Sequence, residues 1–555
     1  MINQADINLN SLHKYMMKKF VLVLLVMLGN RLIAQQCAII PLPAHIETVS
    51  GSFKINNSVS IAYANNILQN EAGYLQQQLL KYSGLALSIQ QSANTAAIQL
   101  NLTKPGKKVD EAAYSLEIKP TGAKITAATP QGIFYGITSL LQLVRLGEVK
   151  NNTVSINCFS ITDQPRYAWR GLLLDESRHF WGKQTVKQLL DWMAFYKLNK
   201  FHWHLTDEPG WRMQIKAYPL LTLIGGIGNY SDKLAPAQYY SQEDIKEIIA
   251  YAKERFIEVI PEVDMPGHAT AANRAYPAFS GGGSAKYSDF TFNPGKDSTY
   301  TYLTNILRET DALFPSQMIH LGGDEVSFGN EKWKTNAEVQ KLMQDKKLPG
   351  LLEVEHYFTK RMADSLFKLN NKVLLWDEAA DSDLPKDKTI IFWWRHDKKA
   401  QFKKALDKGY DIVLCPRIPF YFDFVQDTTQ HFGRKWQGDY VPLDKLYNFT
   451  TADLGIAKVQ QKQILGVQAA LWTENISTEA KLQYMLFPRI TALAETSWGA
   501  DGQKDLPRFK ERVKLQLKLY QQDGLYFYDP FHPNQTPEPL SAKELGLLKD
   551  QMQKP

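Results

Sequence analysis

Two adjacent carboxylates stand out in the sequence because of where they fall. Asp324 and Glu325 follow an apolar run and two glycines, in the segment HLGGDE that begins at His320. Successive side chains diverge where a chain leaves a strand, so the two carboxyl groups can reach different atoms of one ligand. This arrangement makes the pair a candidate for chemistry on a bound ligand. An isolated Asp-Glu pair in a loop is more commonly a solvated cap, so its surroundings decide the interpretation.

Those surroundings repeat a strand-and-helix rhythm from Trp169 onward. Eight apolar runs end in polar or aromatic residues, at 171–175, 201–207, 258–264, 318–324, 373–377, 390–394, 412–416 and 465–472. Amphipathic patterns between them predict helices, such as 186–198, 241–256, 352–369 and 478–494. This pattern predicts an α/β protein with a (β/α)8 TIM barrel. A doubly wound parallel sheet is the alternative that the pattern leaves open.

A barrel of this kind gathers the carboxyl ends of its strands around one mouth. We therefore expect the chemistry at or just beyond those ends, on Asp175, Asp207, Asp264, Asp324, Trp376 and Trp472. His202 and His204 lie two residues apart on one predicted strand, so both face the same side. Such a pair is also typical of metal-dependent hydrolase barrels, which keeps a metal site open as an alternative.

Three further regions flank the predicted catalytic barrel, which we place at 166–500. Residues 35–165 predict a small α+β domain, with strands at 58–63, 97–102, 114–120 and 124–128 and helices at 67–82 and 133–143. Residues 501–555 predict one C-terminal helix and a Pro-rich polar tail.

Residues 1–34 have the pattern of a secretion signal. Lys18 and Lys19 precede an apolar run at 20–28, which is followed by a break and a possible cleavage site after Ala34. The run is too short to span a bilayer, and no later stretch reaches about 18 apolar residues. We therefore expect a secreted or periplasmic protein with no stable membrane span.

The composition excludes several other classes of protein. A hydrophobic content of 44% with 22% charged residues is typical of a globular chain, not of a disordered, collagen-like or coiled-coil one. The net charge is +7, but no dense Lys/Arg patch follows the signal, which argues against nucleic acid as a partner. Three cysteines without CxxC spacing indicate neither a disulfide framework nor a zinc site.

Five ordered motifs together resemble glycoside hydrolase family 20, the β-N-acetylhexosaminidases. They are RGLLLDESRHF at 170–180, FHWHLTD at 201–207, PEVDMPGH at 261–268, HLGGDE at 320–325 and LWTE at 471–474. The match covers the whole predicted barrel, and the preceding α+β unit resembles the family's accessory domain. The resemblance implies an exo-acting, retaining glycosidase that removes terminal non-reducing β-linked GlcNAc or GalNAc. Its partner would be a glycan, chitooligosaccharide or glycoconjugate substrate, with no cofactor and no metal.

The resemblance also implies substrate-assisted catalysis. Adjacent carboxyl groups are poorly placed to flank a glycosidic bond as an ordinary acid and nucleophile pair. The 2-acetamido carbonyl of the substrate would instead attack the anomeric carbon and form an oxazolinium intermediate. Glu325 would protonate the leaving oxygen and later activate water, while Asp324 would hold the acetamido N–H. Asp207 and His268 would form a dyad that supports Glu325.

Two arginines of the first motif are expected to differ. Arg170 starts its strand and so points to the bottom of the barrel, which favours a structural role. Arg178 lies beyond the strand end, where the resemblance implies that it binds sugar hydroxyls together with Glu474.

The remaining implied site residues line the pocket. Trp376, Trp394 and Trp472 end three strands and would pack on the pyranose ring and the acetamido methyl group. The sequence alone does not separate Trp394 from Trp393, since either could point inward. By resemblance, Tyr421 would hydrogen-bond the acetamido carbonyl and Asp423 would reach the 6-hydroxyl.

Two functions of other classes stay open from the sequence. One is a non-catalytic barrel that binds amino sugars, which turnover of an aryl β-GlcNAc would exclude. The other is the metal-dependent hydrolase using His202 and His204, for which sensitivity to a chelator is the discriminating observation.

Overall fold

The computed structural model of the protein describes residues 37–552, except for 93–95, 105 and 107–109. The predicted secretion signal lies outside the described residues. The described chain forms a sheet domain followed by a closed barrel, with two helices after the barrel.

The first domain is built on an eight-stranded sheet. Its strands are β1 His45–Ile55, β2 Ser60–Tyr63, β3 Ser88–Gln91, β4 Ile98–Leu102, β5 Tyr114–Lys119, β6 Gly122–Ala127, β7 Glu148–Lys150 and β8 Thr153–Asp163. The order is β1-β8-β5-β6-β4-β2-β3, with β7 paired to β8. Helices Gln69–Ser83 and Pro130–Arg145 pack on this sheet and on each other. The sequence prediction missed β1, β3, β7 and β8; in β1 most side chains are exposed and show no regular alternation.

Eight parallel strands close the second domain into a barrel. They are β9 Trp169–Asp175, β10 Lys200–His204, β11 Glu258–Glu262, β14 Met318–His320, β15 Lys372–Trp376, β16 Thr389–Trp393, β17 Asp411–Leu414 and β18 Ile464–Leu471. Strand β18 pairs with β9 and closes the ring, so the predicted barrel is confirmed and the doubly wound alternative is wrong. Two short strands in a connection, β12 Ser280–Gly282 and β13 Thr291–Phe292, pair only with each other.

Helices surround the barrel. The longer ones are Gly182–Phe195, Gln242–Lys253, Asp297–Leu313, Ala337–Lys346, Leu351–Lys368, Lys399–Lys408, Glu479–Leu486 and Arg489–Trp498. Short helices occupy Leu220–Leu223, Thr270–Ala275, Arg417–Phe420 and Leu443–Tyr447. The predicted C-terminal helix is present as Leu506–Gln522, and a further helix, Ala542–Met552, lies where we predicted only a tail. Within the described ranges, no helix combines the length and the apolar character needed to cross a bilayer.

A buried ion pair joins the two domains. Lys197 Nζ, from the barrel, lies 3.0 Å from Asp163 Oδ2 at the end of β8, and neither side chain is exposed. Lys197 also donates to the Tyr114 hydroxyl, and Trp498 Nε1 donates to Asp163 Oδ1 at 2.8 Å. Both charges therefore keep hydrogen-bond partners despite their burial.

Arg170 belongs to the same interface, at the bottom of the barrel. Its guanidinium donates to the carbonyls of Lys197 and Tyr167, each at 2.8 Å, and to the Tyr135 hydroxyl at 2.9 Å. Because Tyr135 lies on a helix of the first domain, this arginine connects the domains and is remote from the barrel mouth.

Candidate active site

Strand register brings four polar residues to one level near the barrel mouth. Asp175 pairs with His204, His204 with Glu262, and Glu262 with His320 across neighbouring strands. Each lies at the carboxyl end of its strand. The four motifs that carry them are far apart in sequence, and the closed ring of parallel strands makes them neighbours.

Glu262 is the centre of this level and is fully buried. Its Oε2 accepts a hydrogen bond from His204 Nδ1 at 2.7 Å, and its Oε1 accepts one from Trp376 Nε1 at 2.9 Å. His202 Nε2 and His320 Nδ1 lie 3.0 and 3.1 Å from the same carboxylate. Burial alone would raise the pKa of Glu262, but the surrounding imidazoles outweigh it and hold the pKa well below its usual range.

An alternating chain of imidazoles and carboxylates runs from Glu262 to the adjacent acids. His204 Nε2 lies 2.9 Å from Asp207 Oδ2, and Asp207 Oδ1 lies 2.9 Å from His268 Nδ1. His268 Nε2 then faces Asp324 Oδ2 at 3.7 Å and Glu325 Oε2 at 3.8 Å. The structure thus brings Asp207 and His268 together beside Glu325.

Neighbouring charges shift the pKa values of the imidazoles and carboxylates along this chain. Burial disfavours the imidazolium form of His268, but Asp207, Glu208 and Asp324 outweigh burial and raise its pKa well above the usual value. His204 has its pKa raised in the same way by Glu262 and Asp207. Against its burial, Arg178 and His268 hold the pKa of Asp207 well below the usual range. The chain therefore places a cationic ring next to Asp324 and Glu325 at neutral pH.

The loop that presents the two acids has an unusual backbone. Gly322 and Gly323 have φ of 65° and 87°, and Glu325, which has a Cβ, has φ of 53°. A Cβ at Gly322 would overlap the Asp264 carboxylate, so this position requires glycine. A left-handed conformation at a residue other than glycine is costly and is typical of functional sites.

Asp324 and Glu325 differ in their surroundings. The side chain of Glu325 is 32% exposed and that of Asp324 is 15% exposed. Asp324 Oδ1 is buried and has no hydrogen-bond partner among the described residues, which leaves it available to a ligand N–H. Burial and the charge of Asp324 raise the pKa of Glu325, against the opposing effect of His268. A raised pKa suits a carboxyl group that must donate a proton.

Arg178 lies at the mouth, in contact with Asp207 and Asp175. Its Nη2 forms an ion pair with Asp207 Oδ2 at 2.7 Å, and Nη1 lies 3.5 Å from Asp175 Oδ2. The guanidinium carbon lies 5.2 Å from the centre of the Trp472 ring. These contacts fix the orientation of the guanidinium, which is only slightly exposed.

Aromatic rings form the walls of the pocket. Trp376, Trp472 and Tyr421 lie in one cluster, with the Trp472 ring centre 6.0 Å from each of the other two. Trp394 is parallel to Tyr421 within 6°, whereas Trp393 stacks on Phe402 of an outer helix. The structure therefore separates the two tryptophans and places Trp394 at the pocket.

Arg434, which the sequence prediction missed, forms ion pairs with both Asp423 and Glu474. Arg434 Nε lies 3.1 Å from Asp423 Oδ2, and its Nη2 forms an ion pair with Glu474. Burial raises the pKa of Asp423 to about 7. No motif marks Arg434, which lies in an irregular loop ten residues after Phe424. Glu262, at the centre of the barrel level, was also missed, although it lies inside one of the five motifs.

Metal ligation is possible at three groups in the described part of the chain. Ligand atoms lie within 4.8 Å of one another in His202, Glu262 and His320, in Asp207, Glu208 and His268, and in Asp264, His268 and Asp324. His204 belongs to none of these groups, and its ring nitrogens lie 2.7 Å from Glu262 Oε2 and 2.9 Å from Asp207 Oδ2. The pair His202 and His204 therefore does not form the joint ligand set that the metal-dependent alternative requires.

Comparison with known families agrees with this fold. The family model for the catalytic domain of glycosyl hydrolase family 20 matches residues 167–501, and the model for domain 2 of the same family matches residues 36–164. The chain belongs to glycosyl hydrolase family 20 and is a glycoside hydrolase, which confirms the resemblance seen in the five motifs.

Individual relatives are similar to this chain over most of its length. A β-hexosaminidase of Porphyromonas gingivalis is 31% identical over 89% of this chain and 64% of its own length, so the chain spans less than two thirds of that relative. A β-hexosaminidase of Vibrio furnissii is 33% identical over 83% of this chain and 76% of that protein. The exo β-N-acetylglucosaminidase of Vibrio harveyi, solved with N-acetylglucosamine, has a TM-score of 0.82 and 32% identity, covering 89% of this chain and 79% of its own.

Proposed function

We propose that this chain is an exo-acting β-N-acetylhexosaminidase, which hydrolyses terminal non-reducing β-linked GlcNAc or GalNAc of glycans, chitooligosaccharides or glycoconjugates. The observation that carries the proposal is the contact of His268 with Asp207 on one side and with Asp324 and Glu325 on the other. Membership of family 20 and the β-hexosaminidase relatives support the same activity.

In the proposed mechanism the substrate supplies its own nucleophile. The acetamido carbonyl oxygen attacks the anomeric carbon while Glu325 protonates the departing glycosidic oxygen. Asp324 accepts a hydrogen bond from the acetamido N–H through its unpartnered oxygen and stabilises the positive charge of the oxazolinium ring. Glu325, now ionised, removes a proton from the water that opens the ring, so two displacements retain the anomeric configuration.

The other pocket residues hold the terminal sugar. Arg178 and Glu474 bind neighbouring hydroxyl groups, and Asp423 binds the 6-hydroxyl. Tyr421 donates its hydroxyl hydrogen to the acetamido carbonyl, which aligns that oxygen for attack. Trp376, Trp394 and Trp472 pack on the ring and the acetamido methyl group, and they exclude water from the intermediate.

The role of the acetamido group is the decisive test. Aryl β-GlcNAc and aryl β-glucoside differ in that group, and kcat/KM for the glucoside should be lower by several orders of magnitude. A stable thiazoline mimic of the bicyclic intermediate should bind the native enzyme far more tightly than GlcNAc, and Asp324→Asn should weaken it sharply. Covalent trapping of a fluorosugar on a carboxylate of the native enzyme would contradict the mechanism.

The same assays discriminate the two alternatives. A non-catalytic amino-sugar-binding barrel would bind aryl β-GlcNAc without releasing the aryl alcohol. A metal-dependent hydrolase would lose activity with a chelator and regain it with added divalent metal. We expect turnover that is unchanged by the chelator.

We also propose that residues 1–34 direct export, which gives a secreted or periplasmic enzyme. The basic pair Lys18 and Lys19 ahead of a short apolar run supports this. N-terminal sequencing of the protein from the periplasm or medium should begin just after Ala34. Accumulation of the uncleaved chain in the cytoplasm would contradict it.

A further inference from the structure

A cavity of about 530 Å³ lies beside Glu325 and shares Trp394 with the residues proposed to hold the terminal sugar. Its walls include Phe328, Trp436 and the residues that follow β15 and β16. This volume is within the range of about 300–1,000 Å³ that is usual for small-molecule sites. Because Glu325 is the proposed proton donor to the departing oxygen, the cavity is positioned to receive the leaving group.

One wall of this cavity presents a carboxyl group with no partner. Glu355, on helix Leu351–Lys368, lines the cavity and is only 9% exposed. Within the described residues, its carboxyl group forms neither a hydrogen bond nor an ion pair, and Glu355 is not among those with an unassigned contact. Its oxygens are not fully enclosed by the protein, so the carboxyl group opens onto the cavity, where a ligand can complete its hydrogen bonds.

The two arginines of the cavity already have carboxylate partners. Arg395 Nε lies 2.6 Å from Asp377 Oδ1, and Arg395 Nη1 lies 3.2 Å from Glu378 Oε1. Arg417 pairs with Asp397 at 2.5 Å. The other titratable and charged groups that line the cavity are Glu325, Glu378, Asp381, Arg395, Asp397, Lys398 and Arg417, and the charge of Asp324 also acts on Glu355.

The protonation state of Glu355 determines what it can recognise. Burial raises the pKa of Glu355 to about 8, with a further contribution from Asp324 and an opposing one from Arg395. The carboxyl group is therefore protonated below that pH and offers one O–H donor and one carbonyl acceptor. A sugar hydroxyl, which both donates and accepts, complements this pair.

We propose that Glu355 determines leaving-group specificity, by exchanging hydrogen bonds with a hydroxyl group of the pyranose unit that Glu325 releases. The inference rests on the proposed role of Glu325. It gives the enzyme a preference for sugar leaving groups over alcohols and phenols that lack a suitably placed hydroxyl group. Glu355 contacts the leaving group and takes no part in the bond-breaking step.

The test compares two substrates in matched variants. N,N′-diacetylchitobiose has a sugar leaving group, and 4-nitrophenyl β-GlcNAc has an aromatic one. Glu355→Leu should lower the ratio of kcat/KM for the disaccharide to that for the aryl substrate about ten-fold, mainly through KM, which is the loss expected for one hydrogen bond. Glu355→Gln, which keeps an uncharged donor and acceptor, should hold the ratio within about three-fold of the native value. Glu353→Leu, two residues earlier on the same helix, is the control.

A pH series gives a second readout that a merely structural role would not move. As pH rises through about 8, native Glu355 loses its proton and its donor, so KM for the disaccharide should rise. Glu355→Gln has no proton to lose there, so this rise in KM should disappear. This arm remains informative even if Glu355→Leu does not fold.

Two outcomes would overturn the inference. An equal fall in kcat/KM for both substrates in Glu355→Leu would show that Glu355 acts on the fold or on the catalytic pair. A native-like pH rise in KM in Glu355→Gln would show that another group titrates. Glu325→Gln is assayed in parallel to separate the two proposals. If the activity lost in this variant did not depend on the leaving group, the proposed role of Glu325 itself would be contradicted.

Discussion

The imidazole of His268 connects Asp207 to Glu325: Nδ1 lies 2.9 Å from Asp207 Oδ1, and Nε2 lies 3.8 Å from Glu325 Oε2. Asp207 keeps this ring positively charged, and the charged ring lowers the proton affinity of Glu325, which burial and Asp324 raise. The pKa of the proposed proton donor is therefore a balance between groups on three different strand-end loops.

Asp207→Asn should shift the pH profile of kcat/KM toward alkaline pH. Without the carboxylate, the pKa of His268 falls, the ring becomes neutral, and the pKa of both Asp324 and Glu325 rises. The acidic limb, where Asp324 must be ionised, and the alkaline limb, where Glu325 must be protonated, should each move up by about one unit. Activity at the optimum should fall about 10- to 100-fold. Asp364→Asn, an exposed change, is the control, and an unshifted profile for Asp207→Asn would count against this balance.

Glu325→Gln should cost roughly 10²–10⁴-fold in kcat with substrates whose leaving group needs a proton. The loss should shrink for aryl substrates with acidic phenols, because their departure needs little protonation. Asp324→Asn should behave differently, with a defect that persists for good leaving groups, since it removes orientation and charge stabilisation. A series of aryl β-GlcNAc substrates of graded phenol pKa measures this. If plots of log kcat against phenol pKa had the same slope for the two variants, the separate roles would be contradicted.

Arg178→Ala should mainly change the kinetic constants, and Arg170→Ala should mainly change the stability of the fold. Arg178 lies at the mouth between Asp207 and Trp472, so the main effect of its loss should be to raise KM and lower kcat/KM. Arg170 connects the two domains below the barrel, so its loss should mainly lower the free energy of unfolding. Steady-state kinetics and urea unfolding on both variants make the comparison. The reverse pattern would mean that the roles of the two ends of the barrel are wrongly assigned.

Lys197→Met should destabilise the fold by about 3–5 kcal/mol, because it leaves the buried Asp163 carboxylate without its cation. Adding Asp163→Asn should recover part of this loss, since the unpaired charge is then removed. Lys341→Met is the matched control: its ion pair with Asp345 is exposed, and it should change stability by less than about 1 kcal/mol. Urea unfolding followed by tryptophan fluorescence measures all three. If Lys197→Met were as stable as the native protein, the pair would contribute little to the free energy of unfolding.

The barrel and most of the candidate site could be predicted from the sequence because both depend on local order along the chain. Each apolar run ends at a defined residue, and parallel strands in a closed ring bring those ends together whatever the helices between them do. Asp207, Asp324 and Glu325 follow from that rule, whereas His268 came from the family resemblance. Their roles, like the roles of the aromatic residues, came only with the family resemblance.

The tertiary structure alone decided which side chains complete the site. Trp393 and Trp394 are adjacent in sequence, and only the packing of Phe402 against the first shows that the second faces the pocket. Arg434 reaches Asp423 from an irregular loop, and Glu355 reaches the cavity from a helix whose pattern predicts only amphipathic burial. Neither position has a local signal, because the distance between residues on separate loops and helices is set by how whole elements pack and not by spacing along the chain.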